Sequence, residues 1–267
     1  MPSRRLPPES PDFPARTALQ VSSVGELDAA VATCRACPRL VARREEAARV
    51  KRRAFRDREY GGGRPVPGFG PPDAASAVVG SAPAAHGGNR TGRIFTGDPT
   101  GDALYAALYD LDLASRPTAT HRGDGLELYG VRITVPVHCA PPGNRPTTGE
   151  RDTCRPWLAR EPDLLRPTLR ALVVLSGFAR QALLSVQADA GRQPPRPRPA
   201  FGHGAEVLLT DANSERHVHL VGGHHPSRRD MSTRTLTPAL LRDVLHRGAV
   251  IAGLPRERQH RQSRAPS

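Results

Sequence analysis

Apolar positions along the chain fall into short unbroken runs, which are separated by longer stretches with helical spacing. The runs predict buried strands at 76–79, 131–137 and 171–175, because a strand covered on both faces reads as a continuous hydrophobic segment. Two further strands are predicted at 205–209 and 217–221. Segments rich in polar residues and glycine lie between these runs and predict the connections.

Helical periodicity fills most of the intervals between the strands. Predicted helices cover 24–54 with a break at Pro38, 102–113, 148–170 with interruptions at three prolines, 178–188, and a final segment. Thr237 and Pro238 suit the N-cap and first position of that last helix. The alternation predicts the α/β class, with a mostly parallel sheet covered by helices on both faces.

The two ends of the chain differ in composition from its middle. Residues 1–23 are rich in proline, arginine and serine, and residues 252–267 are basic, so both segments are expected to be disordered tails. The segment between them, 24–251, is expected to form one domain with a sizeable core.

Three polar loops follow predicted strands and are expected at one edge of the sheet. They begin at Gly80, His138 and Gly222. The first, GSAPAAHGGNRTGRIFTGDPTG over 80–101, is long for a compact domain, and loops of this length are usually functional. In open α/β sheets, ligands bind beyond the carboxyl ends of the strands. The sequence therefore predicts a site built from these three loops.

Charge and composition indicate the kind of partner. The chain of 267 residues has a formal net charge of +13 and a pI of about 11.0, which favours a polyanion such as nucleic acid. Its basic residues are arginines except for Lys51. No apolar run is long enough for a membrane span, and the N-terminus lacks the apolar core of a signal peptide. A cytoplasmic protein with no membrane association is expected.

Four cysteines form a candidate metal centre. Cys34 and Cys37 make a CxxC pair, and Cys139 and Cys154 complete a set of four. Disulfides are disfavoured in the reducing cytoplasm, whereas four thiolates suit zinc or an iron–sulfur cluster. The residues alone leave both metals open, with buried free thiols as the alternative.

Three motifs, together with the cysteine spacing, resemble the uracil-DNA glycosylase superfamily and, within it, the iron–sulfur type-5 branch. They are the first loop over 80–98, Cys-Ala-Pro-Pro-Gly-Asn over 139–144, and His-Pro-Ser over 225–227. The resemblance implies a three-layer α/β/α sandwich around a mostly parallel four-stranded sheet. It also implies a [4Fe-4S] cluster on the four cysteines, and a monomeric DNA-repair enzyme that removes uracil or other deaminated bases, hypoxanthine included, from DNA.

The resemblance also assigns candidate site residues. The catalytic candidates are Asn89, Asn144 and His225. Those expected around the flipped base are Ala82, Pro83, His86, Phe95, Asp98 and Val135. Those expected on the DNA are Arg90, Arg93, Ser227, Arg228 and Arg229. Chemistry agrees, since a glycosylase must stack on an extruded base, bond its polar edge and stabilise the charge that develops as the base leaves.

Two departures from the family pattern keep alternatives open. Many members of the superfamily have a carboxylate just after the first strand. This chain reads Ser81-Ala82-Pro83 at that place, and the type-5 branch also lacks the carboxylate. Asn89 is the first candidate to orient water, Asp98 is the second, and His86 is alternatively expected to hold the loop in shape. The residues after Ser227 also differ from the type-5 pattern. A catalytically silent DNA-binding protein with the same fold is the second hypothesis.

Single residues and the first loop have simpler interpretations as well. Phe95 alone is compatible with ordinary core packing, and Asn144 with a turn. Gly97 to Gly101 at a helix start could cradle a phosphate, although the loop lacks the Gly-Lys-Ser/Thr ending of a P-loop. Val135 stands where uracil-strict relatives have an asparagine, which predicts a broader base range.

Overall fold

The computed structural model describes residues 6–58, 61, 63–197, 199–211 and 217–254, with the side chains of Gln193, Arg228 and Arg229 left out. The helices are α1 (Phe13–Ala18), α2 (Val24–Thr33), α3 (Pro38–Val50), α4 (Gly88–Thr91), α5 (Pro99–Asp110), α6 (Thr148–Leu164), α7 (Gly177–Asp189), α8 (Arg228–Ser232) and α9 (Pro238–Ile251). The strands are β1 (Ser76–Val79), β2 (Val131–Thr134), β3 (Ala171–Leu175), β4 (Arg192–Gln193), β5 (Glu206–Asp211) and β6 (His217–Gly223).

The described strands form one sheet in the order β2-β1-β3-β6-β5-β4. The first four are mutually parallel, and β5 and β4 continue the sheet in antiparallel fashion. The α/β class and the four parallel strands are thus confirmed, and the sheet is wider than the four strands expected. The two-residue β4 lies at the start of the proline-rich segment 191–200, whose composition favours a loop.

The sheet separates two apolar cores, which makes the fold a three-layer sandwich. On one face, Val78, Ile133 and Val173 pack with α5 and α9. On the other face, the alternate strand residues Val79 and Val174 pack with α7 and with the middle of α6. Every residue of β1, β2 and β3 is buried, as the continuous apolar runs predicted.

Residues 6–23 differ from their predicted disorder. Residues 6–23 include α1, whose Phe13 is buried against Trp157 with ring centroids 5.9 Å apart. Phe13, Ala18 and Val21 of this proline-rich stretch are buried in the same core as Trp157, which attaches the segment to α6. At the other end, Ala252 and Leu254 are buried, while residues 1–5 and 255–267 of the two predicted tails lie outside the described residues.

Helix α6 continues through prolines that were expected to interrupt it. Pro156 and Pro162 both lie within its 17 residues. A capping box between Thr147 and Glu150 fixes its start, and burial of Trp157 offsets the backbone hydrogen bonds that the prolines remove. Among the described residues, no helix has the length and apolar character needed to cross a membrane.

Candidate functional site

Phe95 and Gly80 lie together at the carboxyl end of β1. A Cβ on Gly80 would lie 2.7 Å from Cζ of the Phe95 ring and 3.3 Å from Cγ1 of Val135, so the ring rests directly on the glycine backbone. Phe95 has a left-handed φ of 56°, and its carbonyl occupies the space that a Cβ on Gly101 would need. Val135 is fully buried beside the ring, whereas Phe95 is only partly buried. A strained backbone at the partly exposed ring, with glycines on two sides, is typical of a functional position.

Asp98 closes the first loop onto α5. Its Oδ1 accepts from the N–H groups of Thr100 and Gly101 at 3.0 and 3.1 Å, which makes Asp98 the N-cap. Because α5 begins at this cap, it starts three residues earlier than apolar spacing predicted. A Cβ on Gly87 would lie 2.7 Å from Asp98 Oδ2, so both arms of the loop approach this carboxylate.

His225 joins the third loop to the first. Burial lowers the pKa of His225, and the carboxylates of Asp230 and Asp98 partly oppose that shift. His225 is therefore neutral near pH 7 and can donate one ring N–H. Its neighbour His224 instead stacks on His203, with ring centroids 5.2 Å apart.

Ser227 organises the segment that follows His225. Its Oγ accepts from the Asp230 N–H at 3.0 Å and donates to Asp230 Oδ2 at 2.7 Å, so it caps α8. Arg228 and Arg229 form the first turn of that helix, and their side chains lie outside the described residues. Their predicted contact with DNA stays a prediction.

Asn89 is buried and bonded to backbone. Its Nδ2 donates to the carbonyls of Arg44 at 3.3 Å and Ala85 at 3.4 Å, which ties the first loop to α3. Its Oδ1 is buried and has no partner among the described groups. The amide group of Asn89 therefore holds the loop, and one acceptor is left over.

Asn144 lies in an exposed 3₁₀ turn, Pro142–Asn144, with a left-handed φ of 57°. This conformation is one that asparagine tolerates well, so the turn interpretation has structural support. Neither Asn144 nor Asn89 has a described contact with Phe95 or His225. Their catalytic roles stay predictions.

The remaining residues of the first loop shape its start. Pro83 is buried, and its Cβ lies 3.1 Å from where a Cβ on Gly88 would be. Ala82 is partly buried against the core that contains the cysteines. The carbonyl of His86 accepts a 2.8 Å hydrogen bond from Nε of Arg90, so these two residues brace each other.

Arg93 points into the protein, so the structure gives no support to its expected contact with DNA, which stays a prediction. Its side chain is 4% exposed and forms an ion pair with Asp124 at 2.8 Å, while its guanidinium lies 4.2 Å from the centre of the Phe69 ring. The loop sequence did not distinguish an inward arginine from an outward one. Phe69 and Asp124, which hold Arg93 inside, come from distant parts of the chain.

The four cysteines converge in one buried cluster. Cys34 is the C-cap of α2 and Cys37 the N-cap of α3, so the CxxC pair connects two helices rather than lying within one. Both pack with Cys139 and Cys154 in the same apolar core. Burial raises the pKa of Cys154 well above its ordinary value, and charge on each of the other three thiols raises it further. The donor set, four thiols and a buried guanidinium, fits an anionic thiolate-ligated group.

Arg44 supplies that guanidinium, and the sequence analysis missed it. Its Nη1 donates to Cys139 Sγ and to the Cys34 carbonyl, each at 3.1 Å. The run 43–58 alternates arginine with glutamate and alanine, a pattern that favours a solvated helix face. The available signal was its spacing, because Leu40, Arg44 and Ala47 lie on one buried face of α3. Among the described residues, no three histidine, cysteine or acidic side chains are grouped so that they could hold a single metal ion.

A cavity of about 550 Å³ lies beside the edge strand β2, away from the Phe95 ring. Phe69, Arg93, Arg122 and Arg132 contribute to its wall. Arg132 is bonded to Asp28 at 2.6 Å and to Glu161 at 2.5 Å, so its charge is balanced there. Of the three predicted loops, the first contributes Gly92 and Arg93 to its lining, and neither Phe95 nor His225 is among the lining residues.

Comparison with known proteins agrees with the geometry. Residues 67–247 match the family model described as "Uracil DNA glycosylase superfamily". A "Type-5 uracil-DNA glycosylase" of Mycobacterium bovis is 49% identical over 232 residues, which cover 87% of this chain and 83% of the relative. Proteins of the same name from Thermus thermophilus and Pyrobaculum aerophilum are 45% and 41% identical, over 83% and 82% of this chain and 94% and 89% of theirs. The chain therefore belongs to the uracil-DNA glycosylase superfamily and is similar to its type-5 members.

Proposed function

We propose that this protein is a monofunctional DNA-repair glycosylase, which hydrolyses the N-glycosidic bond of uracil in DNA and leaves an abasic site. The observation that carries the proposal is the Phe95 ring, held on the Gly80 backbone beside Val135 at the carboxyl edge of the sheet. A partly exposed ring at that edge can stack on an extruded base. Similarity to proteins named type-5 uracil-DNA glycosylase supports the same substrate.

His225 is proposed to stabilise the leaving base. Breaking the N-glycosidic bond moves negative charge onto the base and positive charge onto the sugar. A buried, neutral imidazole can donate its N–H to a base oxygen as that negative charge develops. Because the ring is neutral, the protein does not have to bury a positively charged imidazolium there. Asp98 lies close enough to affect the charge on His225, and it also fixes the start of α5.

Water is proposed to be oriented by Asn89 in preference to Asp98. No carboxylate follows β1 at 81–83. Asp98 Oδ1 is already shared by two backbone N–H groups. Asn89 Oδ1 is a buried acceptor with no described partner, and a buried acceptor without a hydrogen bond costs free energy. A bound water would supply that hydrogen bond.

The apolar side chain of Val135 supports a base range that includes hypoxanthine. This side chain is buried against the Phe95 ring and offers no hydrogen bond that would select one base edge. An apolar wall rejects an unwanted base weakly, whereas a site built on hydrogen bonds rejects one strongly. We therefore propose that deaminated purines also enter the site.

The four cysteines are proposed to hold a [4Fe-4S] cluster. When bound, such a cluster would cross-link the α2–α3 connection, the loop after β2 and helix α6, since these segments carry its four ligands. Arg44 would donate a hydrogen bond to the Cys139 sulfur and compensate part of the negative charge. Its role is structural, because four thiolates leave no open position.

Two further proposals concern where the protein acts and its oligomeric state. We also propose that this positively charged protein acts in the cytoplasm and as a monomer, since one copy is enough for the chemistry described. The test uses protein with measured iron content and duplexes that carry one uracil, one hypoxanthine or no lesion, followed by alkali. Cleavage at uracil and hypoxanthine alone supports the proposal. Tight, salt-sensitive binding with no cleavage would instead favour the second candidate, a silent DNA-binding protein.

A further inference from the structure

Residues 51–58, which we call the arginine loop, lie between α3 and β1. The loop contains the only lysine of the chain, four arginines and a single acid, Asp57. Its 3₁₀ turn, Arg53–Phe55, has no buried residues. The four arginines of this loop are exposed: Arg52, Arg53, Arg56 and Arg58.

Lys51 gives the arginine loop a defined shape. Its Nζ donates to the carbonyls of Arg58 at 2.8 Å and Arg56 at 3.4 Å, so it closes the segment into a compact turn. The ammonium group thus bonds inward to backbone, while the arginine side chains extend outward. A closed turn holds its charges in place at a lower entropic cost than a mobile chain.

The arginine loop is docked on the loop that carries Phe95. The Phe55 ring stacks on His86, with centroids 6.4 Å apart and planes inclined by 21°. The guanidinium of Arg90 lies 4.3 Å from the centre of the same Phe55 ring. Just beyond, the N–H of Gly61 donates to the Arg90 carbonyl at 2.7 Å. These contacts place the exposed arginines beside the first loop, which also carries Phe95.

Positive charge accumulates at this contact. Burial lowers the pKa of His86, and the charges of Arg52, Arg43 and Arg90 each lower it further, with no carboxylate among the causes. Arg43 has only a weak ion pair with Glu46, at 3.6 Å. Such a surface repels cations and attracts a polyanion.

We propose that Arg52, Arg53 and Arg56 bind phosphates of the DNA strand whose base enters the site next to Phe95. This inference rests on the proposed function, because it takes DNA as the partner. Planar guanidinium groups suit phosphate recognition, and such contacts fix the register of a protein on DNA without reading sequence. The shape held by Lys51 and the docking through Phe55 set the distance between strand and site.

The test compares two triple variants that remove the same charge. One is Arg52→Ala/Arg53→Ala/Arg56→Ala, and the control removes exposed arginines of α1 and α9, Arg16→Ala/Arg242→Ala/Arg247→Ala. Fluorescence anisotropy measures binding of an undamaged duplex across a salt series. Each lost phosphate contact lowers the slope of log K against log salt by about 0.9. The arginine-loop variant is expected to lose roughly 2 to 3 in slope, and the control is expected to match wild type.

Equal slopes for the two triple variants would overturn the proposal, as would a wild-type slope in the arginine-loop variant. If that variant melts below wild type, the single changes Arg52→Ala and Arg56→Ala are measured in its place, each with an expected loss of about 1. Neither readout depends on base release. A protein that shows the slope change without releasing uracil contradicts the proposed function alone, and one that releases uracil without the slope change contradicts this inference alone.

Discussion

At the scale of single residues, the site depends on the space that Gly80 leaves for the Phe95 ring. Replacement of Phe95 by alanine removes the face on which the base would stack, and base–aromatic stacking contributes about 1–3 kcal/mol. We expect Phe95→Ala to slow single-turnover uracil release roughly 5- to 150-fold, while Phe95→Tyr keeps most of the rate. Binding of undamaged duplex serves as the control and is expected to be unchanged. A wild-type rate for Phe95→Ala would exclude stacking on this ring.

Val135 supports a second prediction at this scale. An asparagine there adds a hydrogen-bonding group beside the Phe95 ring and should favour one base edge over another. We expect Val135→Asn to change the ratio of uracil to hypoxanthine release, measured on matched duplexes, and Val135→Ile to leave that ratio unchanged. An unaltered ratio in a folded Val135→Asn variant contradicts the idea that Val135 sets the base range.

The pair Arg93–Asp124 predicts a stability effect instead of a DNA-binding effect. Burial by itself would raise the pKa of Asp124, but hydrogen bonds from Arg93 and from the backbone N–H groups of Thr120 and Leu126 hold it well below its ordinary value. This carboxylate therefore stabilises the fold above about pH 4, and the contribution is lost as pH falls toward the lowered pKa. Asp124→Asn should lower the free energy of unfolding by about 3–5 kcal/mol at pH 7, because it leaves a buried guanidinium unpaired.

Urea unfolding at pH 7 and at pH 3 measures that effect, and the difference between Asp124→Asn and wild type should shrink at the lower pH. Asp189→Asn is a matched control, since its carboxylate is exposed and pairs with Arg155 on the surface. If both variants lose the same small amount of stability, the pair is not the buried ion pair described.

At the residue scale, the sequence indicated which residues lie together only where a pattern fixed their positions. The glycines around Phe95 and the loops that hold Asp98 and His225 indicated one site, and the structure brings these residues to the same edge. The pattern did not separate Arg90, which braces His86, from Arg93, which points into the protein. That difference depends on Phe69 and Asp124, whose positions only the folded chain defines.

At the scale of elements, the four-cysteine centre joins α2, α3, the loop after β2 and α6. Arg44→Met should weaken this junction, because it removes the hydrogen bond to Cys139 Sγ and leaves the Cys34 carbonyl without that donor. We expect a lower iron content per chain, weaker visible absorption and a lower melting temperature than in wild type. Arg49→Met changes an exposed arginine of the same helix and should leave all three values as they are.

Iron removal tests the same junction without a mutation. Chelation under oxidising conditions should lower the melting temperature of wild-type protein, because ligand binding to the native state stabilises it. A melting temperature independent of iron would contradict a structural cluster at these cysteines.

Most helices and strands were predictable because their boundaries are local. Thr237 and Pro238 start α9 where the sequence indicated. The prolines of α6 led to a wrong prediction of interruptions in this helix. A rule based on local sequence takes no account of the burial of Trp157 between α6 and α1. The same contact explains why residues 6–23 are ordered when composition predicted a tail.

At the scale of the whole molecule, alternating strands and helices were enough to predict a layered α/β fold. We infer one domain that begins with α1 rather than at residue 24, because Phe13 packs into the core around Trp157 and the cysteines. The number of strands in the sheet was less predictable, since β4 has two residues and joins the sheet through its pairing with β5. Net positive charge likewise indicated a polyanion, while only the docked position of the arginine loop indicates where it would bind.

The most direct test of the account is the mass of a uracil-containing DNA strand after incubation with iron-loaded protein and before any alkali. Hydrolysis of the N-glycosidic bond predicts an intact strand in which the base is replaced by hydroxyl, together with an equal amount of free uracil. His225→Ala should slow formation of both products while duplex binding persists. A strand of unchanged mass, in the presence of folded protein bound to the duplex, would contradict glycosylase activity and leave only DNA binding.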